Sequence, residues 1–197
     1  SDALKIEQTG LFTGDIVFDR CQFVQQAGAN RNNVNLVSSG TTYNPTNGNG
    51  SIAGLKFKAC DFYSGDRAVT LLASGGSRIT DCWFVNGCQI DQEISRGFSL
   101  ESNNASALID NIHIDGVYIN RTTDGAIVMA STGTGGAISS VWVRNSNIIN
   151  PVLSAVNVFG DNVDNISITN NTIVDCDNGL GGAIIVNAAD NIDVSNN

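Results

Sequence analysis

The sequence predicts an all-β fold in which short parallel strands stack, turn above turn, into a solenoid. Two observations carry this prediction: the chain of 197 residues repeats itself along its length, and its repeats alternate apolar and polar residues with a period of two. A third observation argues against helices, because glycine or asparagine interrupts the segments in which a helical periodicity could begin. We therefore expect strands and turns along nearly the whole chain.

The repeat is clearest near the C-terminus, where NISITNN at 165–171 returns as NIDVSNN at 191–197. This first phrase places apolar residues two apart and then a small residue at a turn, as a half-buried strand does. Weaker copies lie at 15–23, 54–62, 77–84, 111–119 and 140–148. Alignment of the copies on the small residue predicts one column that contains Cys21, Cys60, Cys82, Val117, Ser146, Asn171 and Asn197.

A second alternating phrase follows the first, at 33–37, 68–72, 97–101, 126–130, 155–159 and 183–187. Two short strands and their turns in a repeat of about 25 residues describe one rung of a parallel β-helix. A leucine-rich repeat would show its spaced leucines, and a propeller blade needs about 40 residues. The sequence thus predicts a single-stranded parallel β-helix of about seven rungs that forms one domain over 1–197.

Composition limits the classes of partner. Nineteen acidic residues against ten basic ones give a net charge of −9, which is the wrong sign for neutralising a phosphate backbone, so we expect no nucleic acid partner. No apolar run approaches the ~20 residues that cross a bilayer, so we expect no membrane insertion. The spacing of the five cysteines and the presence of a single histidine fit no metal site, and no metal or cofactor is expected.

The turn after the first strand should hold a ladder of amide hydrogen bonds, because an asparagine can donate to one neighbouring rung while accepting from the other. The predicted ladder is Asn145, Asn170 and Asn196, with Ser146, Asn171 and Asn197 beside it. Toward the N-terminus this second column changes to cysteines, which we expect inside the tube as reduced thiols: Cys21, Cys60 and Cys82. Free buried thiols suit assembly in a reducing cytosol.

The rung pattern of 15–197 resembles the right-handed, pectate-lyase-like β-helix, and among its members the tailspike and appendage proteins of bacteriophages. The resemblance implies a right-handed helix, a homotrimer and a place on the virion tail after assembly in the host cytosol. The sequence begins without an amphipathic capping helix and stops within a rung's opening phrase, so we expect it to be part of a longer spike chain. It rests on the rungs and on no catalytic motif, since the paired aspartates and Gly-His-Gly of polygalacturonases are absent.

Two functions are compatible with this resemblance. The first is a receptor-binding protein that binds and depolymerises a bacterial surface polysaccharide, capsule or O-antigen, as a glycoside hydrolase or a polysaccharide lyase. The second is a β-helical adhesin or spike shaft that performs no chemistry. A fold does not decide between them, so the candidate site residues must.

Outward aromatic side chains flanked by carboxylates are the candidate sugar site. We expect Trp83 and Tyr118 to stack in adjacent rungs, about 5 Å apart, with flat faces for pyranose C–H groups and polar neighbours for hydroxyls. The alternative, that both rings pack under a loop or a neighbouring chain, remains open. The predicted substrate-binding residues are Trp83, Tyr118, Trp142, His113 and Arg144.

Carboxylates on the same face are the candidate catalytic groups. Inverting hydrolysis needs two of them roughly 6.5–9.5 Å apart, a distance that residues two rungs apart could meet. Asp61 or Asp81 would pair with Asp115, and a second pair, Asp91 and Glu93, lies in the excursion at 85–96. Each of them could equally be an ordinary solvated side chain.

The outer side of the second strand predicts the trimer contact. Apolar residues stand there where solvent would favour polar ones, and a contiguous apolar strip marks an interface. The strip consists of Leu72, Val128, Phe159 and Ile185, with Glu101 and Asn157 as interruptions.

Overall fold

In a computed structural model, the chain winds into a parallel β-solenoid of about six turns, close to the predicted seven rungs, which confirms the predicted fold class. The structure describes residues 2–8, 14–25, 31–39, 42–44, 46, 50–91, 94–104, 106–132, 135–176 and 182–197. Within those ranges every regular element is a strand.

The described part of the chain contains twenty strands of three to eight residues. In chain order they are β1 (Leu4–Gln8), β2 (Ile16–Asp19), β3 (Gln22–Val24), β4 (Asn32–Ser38), β5 (Ser51–Lys58), β6 (Asp61–Tyr63), β7 (Arg67–Ser74), β8 (Arg78–Val85), β9 (Gln89–Asp91), β10 (Arg96–Asn103), β11 (Leu108–Asp115), β12 (Tyr118–Asn120), β13 (Ile127–Thr132), β14 (Ala137–Arg144), β15 (Asn147–Ile149), β16 (Val156–Phe159), β17 (Val163–Thr169), β18 (Thr172–Val174), β19 (Ile184–Asn187) and β20 (Asp190–Ser195).

Strands three apart in chain order pair in parallel, so each full turn contributes one strand to each of three sheets. The strands of the first phrase form the first sheet, β2-β5-β8-β11-β14-β17-β20, and the short strands just past the turn form the second sheet, β3-β6-β9-β12-β15-β18. The strands of the second phrase form the third sheet, β1-β4-β7-β10-β13-β16-β19. The two phrases of the repeat are therefore two faces of one tube.

The core is a set of columns in which equivalent apolar side chains stack along the tube. Phe18, Phe57 and Phe84 occupy one register position of the first sheet, with ring centroids 4.7 and 4.9 Å apart. Phe23 stacks on Phe62 in the second sheet at 5.3 Å. Burying one such side chain contributes about 1.5–3 kcal/mol, and in this fold the contact recurs at each turn.

A left-handed residue stands in the middle of the first-sheet strands and breaks their alternation. Asp81 in β8 and Asn111 in β11 both have φ of 54° and have no paired partner in the ladder between these strands. Gly54, Ser140, Asn165 and Asn191 occupy the same position in β5, β14, β17 and β20, again with positive φ. As in a β-bulge, the unpaired residue makes two adjacent side chains point outward.

The predicted asparagine ladder lies one residue beyond the predicted column. Asn171 Nδ2 donates to Asn197 Oδ1 at 2.8 Å and to the Val143 carbonyl at 3.0 Å, while Asn171 Oδ1 accepts from the Ser146 backbone N–H at 3.0 Å. The column predicted as the main ladder serves the backbone instead, because asparagine tolerates a left-handed conformation well. Its φ values are 51° at Asn145, 56° at Asn170 and 55° at Asn196.

The predicted cysteine column contains one wrong member. Cys88, not Cys82, follows Cys21 and Cys60, because Gln22, Asp61 and Gln89 pair in register directly after them. Cys82 belongs to the first sheet, between Leu55 and Ile112. The cause is the similarity of DCWF to the true turn sequences, whereas β8 runs on to Val85 before it turns. All five cysteines are free, including Cys21, Cys60 and Cys82, for which reduced thiols were predicted.

Replacement of Asn171 by alanine should destabilise the protein by about 2–4 kcal/mol, because it leaves the buried Ser146 N–H and Val143 carbonyl without their partner. Urea unfolding followed by circular dichroism measures the change. The matched control is Asn170→Gly, which keeps the left-handed turn and should cost less than about 1 kcal/mol. Equal losses in both variants would contradict the ladder.

Candidate functional site

Three aromatic side chains form a row on the outer face of the first sheet. His113 in β11 pairs in register with Trp83 in β8 and with Trp142 in β14. The ring centroids lie 5.4 Å apart for Trp83 and His113 and 4.5 Å apart for His113 and Trp142, with interplanar angles of 10° and 16°. Strands 4.7–4.9 Å apart impose this stacking on side chains at one register position. We call these three residues the ring row.

The two ends of the ring row differ. At one end the Arg144 guanidinium lies 5.5 Å from the Trp142 ring centroid, a cation–π arrangement. At the other end, the register neighbour of Trp83 is Lys56 on β5, and Trp83 lines an open depression with Asp15, Val17, Gly54 and Lys56. Trp83 is therefore the end of the ring row that borders open space, while His113 is enclosed between two rings.

A cleft of about 540 Å³ adjoins Trp83. Its walls are mostly polar, and Tyr43 and Arg78 form one side, with the Arg78 guanidinium 4.1 Å from the Tyr43 ring centroid. The residues that line it are Asp15, Tyr43, Ser51, Ala53, Gly54, Arg78, Thr80, Asp81, Trp83 and Asp110. A concave surface with an aromatic ring and a few convergent polar groups is the usual form of a small-molecule site.

The bulge supplies the polar groups of the cleft. Thr80 and Asp81 are adjacent outward residues of β8, and the Thr80 hydroxyl donates to Asp81 Oδ2 at 3.0 Å. Asn111, at the same position of β11, donates from Nδ2 to Asp81 Oδ1, and its Oδ1 lies 2.8 Å from His113 Nε2. A continuous hydrogen-bonded chain thus links the carboxylate of the cleft to the ring row.

The position of His113 lowers the pKa of its imidazole. Burial between the indoles disfavours the charged form, and the nearby Arg144 charge acts in the same direction. Asp115 and Asp81 oppose this shift but are weaker influences. His113 is therefore neutral at pH 7.

A second cleft of about 400 Å³ lies farther along the same sheet. It is lined by Leu108, Ala137, Ser139, Asp161, Asn162, Asp164, Asp190 and Asn191. Ser139 joins the two clefts, because its hydroxyl donates to Asp110 Oδ1 at 2.8 Å and because it pairs in register with both Asp110 and Asp164. Hydrogen-bond acceptors thus follow the axis of the tube.

Four of the five predicted substrate-binding residues share one end of the first sheet: Trp83, His113, Trp142 and Arg144. Tyr118 does not, because it belongs to the second sheet and pairs with Gln89 and Asn147. The predicted stacking of Trp83 on Tyr118 is wrong for the same reason as the cysteine column: the true equivalent of Tyr118 in the preceding turn is Gln89.

The predicted catalytic carboxylates are dispersed. Asp81 lines the cleft, but Asp115 pairs with Val85, which is four residues farther along β8, or roughly 13 Å away along the strand. Asp61 lies in the second sheet, where it pairs with Gln22 and Gln89. The predicted pairs of Asp115 with Asp81 or Asp61 therefore do not converge on one site.

Of the pair predicted in the excursion at 85–96, Asp91 lies within the described residues. Asp91 lies in the second sheet, where its Oδ1 accepts from Asn120 Nδ2 at 3.2 Å and from Arg121 Nη2 at 3.0 Å. Glu93 lies outside the described residues.

Two residues of the cleft, Asp15 and Asp110, were not predicted from the sequence. The signal that could have found Asp110 is the Asp-Asn pair at 110–111, which stands at the bulge position of its strand.

The outward strip of the third sheet is less continuous than predicted. Its residues fall into two columns: one reads Leu72, Glu101, Ala130 and Phe159, and the other reads Thr70, Ser99, Val128, Asn157 and Ile185. Val128 is only 2% exposed, and a Cβ atom on Gly125 would lie 2.9 Å from its Cγ2, so the chain leading into β13 packs against it. The prediction that Val128 presents an open contact surface is therefore wrong. In the other column, an ion pair of 2.6 Å between Arg67 and Glu101 separates Leu72 from Phe159.

Neither a cluster of metal-ligating side chains nor a membrane-spanning helix occurs among the described residues. No group of three or more histidine, cysteine, aspartate or glutamate side chains is arranged there to hold a metal ion. The same residues include no helix with the length and apolar character needed to span a membrane.

The pKa of His113 should lie below its usual value of about 6.5, and Arg144→Gln should raise it by removing a neighbouring positive charge. Because the chain has one histidine, an NMR titration of the imidazole measures this directly. The folded state favours the neutral imidazole. The stability that His113 contributes is therefore complete above about pH 6.5 and is lost as the pH falls toward the pKa of His113 in the folded protein. Arg121→Gln, on the second sheet, is the control and should leave the titration unchanged; an unchanged pKa in Arg144→Gln would contradict the assignment.

Comparison with known proteins adds no family to this geometry. No family model matches the chain, and neither a curated protein nor a solved structure matches it. The fold therefore rests on the strand pairing, and any function must be argued from the ring row and the two clefts.

Proposed function

We propose that the protein binds a bacterial surface polysaccharide, capsule or O-antigen, in the manner of the tailspike-type β-helices that its rungs resemble. The observation that carries the proposal is the position of Trp83, whose ring borders a cleft that also contains Asp15, Asp81, Arg78 and Asp110. An indole face packs against the C–H groups of a sugar ring, and the charged groups around it bind hydroxyls.

The ring row supports this use of Trp83. Stacking on His113, which in turn stacks on Trp142, restrains the indole before any ligand arrives. A side chain that is already ordered loses little conformational entropy on binding, so more of the contact energy appears as affinity. The parallel strands of the tube give the same rigidity to Asp81 and Arg78.

The charge of the cleft favours a hydroxyl-rich ligand over a nucleic acid. Three carboxylates, those of Asp15, Asp81 and Asp110, face one guanidinium in the cleft wall. The net charge of the whole chain has the same sign. Phosphate backbones would be repelled by such a surface, whereas sugar hydroxyls donate hydrogen bonds to carboxylates.

Depolymerisation of the bound polysaccharide is a second candidate function, and Asp81 and Asp110 favour it. Both line the cleft beside Trp83, and Asp110 pairs in register with Thr80, the residue before Asp81. Two carboxylates flanking a glycosidic bond are the groups that most glycoside hydrolases use. A non-catalytic adhesin or spike shaft would use the same cleft for binding alone.

The wider setting follows from the same resemblance. A tailspike-type protein would form a homotrimer on the virion tail, reached after assembly in the host cytosol. Of the four apolar residues of the predicted strip, Leu72, Phe159 and Ile185 remain available for such a contact, because they are only partly buried in the single chain. Sedimentation of the protein would test this association.

Replacement of Trp83 by alanine should weaken polysaccharide binding about tenfold, or about 1.4 kcal/mol, because the ligand loses its stacking face. Isothermal titration against a panel of purified capsular and O-antigen polysaccharides measures the change. Tyr118→Ala, which removes an outward ring from the second sheet, is the matched control and should bind like the parent. Equal affinity for Trp83→Ala and the parent, or no binding to any member of a broad panel, would refute the proposal.

If the protein is a depolymerase, Asp81→Asn and Asp110→Asn should each lower the rate of chain cleavage at least a hundredfold, the scale expected for a general acid or base. Release of reducing or unsaturated ends measures the rate. Asp115→Asn is the control, because that carboxylate lies outside the cleft, and it should cleave normally. Parent protein that binds the polysaccharide and releases no ends would identify a binding protein without chemistry.

A further inference from the structure

The amide of Asn111 joins two parts of the proposed site that sequence reasoning treated separately. Its Nδ2 donates to Asp81 in the cleft, and its Oδ1 lies 2.8 Å from Nε2 of His113 in the ring row. In the described part of the chain, no hydrogen bond joins Asn111 to Trp83, Arg78 or Tyr43. Its two bonds therefore act on Asp81, which lines the cleft, and on His113, which stacks against the cleft residue Trp83.

The bonding capacity of these groups determines the direction of each bond. A carboxylate only accepts, so the amide nitrogen of Asn111 must face Asp81 and the amide oxygen must face His113. An amide oxygen also only accepts, so the hydrogen must lie on Nε2 of His113. The neutral imidazole is thereby restricted to one tautomer, and its ring plane is fixed beneath Trp83.

The backbone explains how Asn111 can reach both partners. Asn111 and Asp81 occupy the left-handed bulge position of adjacent strands, with φ of 54° in each. Their side chains therefore point outward one above the other, and His113 stands two residues farther along the same strand. Glycine occupies this bulge position in β5, at Gly54, so the backbone geometry does not itself require an asparagine side chain.

We infer that Asn111 is a positioning residue for polysaccharide binding, which holds the Trp83 platform, through His113, and the Asp81 carboxylate in one fixed arrangement. This inference rests on the proposed function. It predicts that a ligand contacting Trp83 and Asp81 together loses affinity when Asn111 is replaced, although Asn111 does not contact the ligand.

Asn111→Gly isolates the role of the amide, because glycine retains the left-handed conformation and removes the side chain. Its affinity for the panel polysaccharide that the parent binds most tightly should fall about fivefold, which is the loss expected for one ordering hydrogen bond. Nitrogen-15 spectra of the single histidine should show the Nε2–H tautomer in the parent and a mixture of tautomers in the variant. A purely structural role would change thermal stability without this tautomeric signature.

An exchange of the two side chains supplies the rescue. Asn111→Asp keeps an acceptor for His113 but places a second carboxylate against Asp81, so it should bind more weakly than the parent. Adding Asp81→Asn restores the hydrogen bond between positions 81 and 111 in the opposite direction, since the new amide at 81 can donate to the new carboxylate at 111. The double variant should keep the Nε2–H signature and should recover part of the affinity lost in Asn111→Asp.

The outcomes separate this inference from the proposed function. Parent-like affinity in Asn111→Gly, together with loss of binding in Trp83→Ala, would overturn the positioning role and leave the proposed function intact. Parent-like affinity in Trp83→Ala would remove the proposed function itself. If Asn111→Gly fails to fold, the comparison of Asn111→Asp with the double variant decides the question, and equal affinities of these two variants for the polysaccharide would overturn the inference.

Discussion

The register of parallel strands is the constraint on which the rest of this protein depends. Each strand hydrogen-bonds to its equivalents in the neighbouring turns, so side chains at one register position must stack at the strand spacing of 4.7–4.9 Å. Apolar positions then form continuous columns, such as the Phe18, Phe57 and Phe84 stack, and buried polar positions form ladders, such as Asn171 on Asn197. Because a column is stabilised by repetition, a favourable contact in one turn is reproduced in the next.

The same constraint builds the candidate site on the outside of the tube. Trp83, His113 and Trp142 stack because they occupy one register position, as the core phenylalanines do, but they face outward. The left-handed bulge adds a second outward residue next to the regular one, and this places Asp81 and Asn111 beside the ring row. A regular strand would have turned one of each such pair inward. The departure from alternation is thus what concentrates polar groups at the cleft.

The columns of the core could be predicted from the sequence because each depends only on a period of two within a phrase. The apolar residues of the 165–171 and 191–197 phrases pair in the structure as the repeat indicates, with Ile166 on Ile192 and Ile168 on Val194. The alignment of different turns was harder, because the turns differ in length. At 81–90 two short sequences, DCWF and GCQI, both fit the end of a strand, and only the hydrogen-bonded register shows that Cys88 takes the turn position.

That one displaced alignment accounts for most of what the sequence did not predict at the site. It moved Trp83 from the column of His113 to that of Tyr118, and it hid the relation of Asp81 to Asn111. Strict alternation also gives no reason for two neighbouring outward residues, so Asp110 was not recognised as part of the cleft. Val128 illustrates a further limit: its outward direction followed from the pattern, but the chain segment that covers it did not.

The most direct test of this account is the register that creates the ring row. Nuclear Overhauser spectra of the protein should show cross-peaks between the ring protons of Trp83 and His113, whose centroids lie 5.4 Å apart, and between those of His113 and Trp142, 4.5 Å apart. Cross-peaks that connect Trp83 with Tyr118, and none that connect it with His113, would show that the turns stack in a different register and would contradict both the ring row and the cleft built upon it.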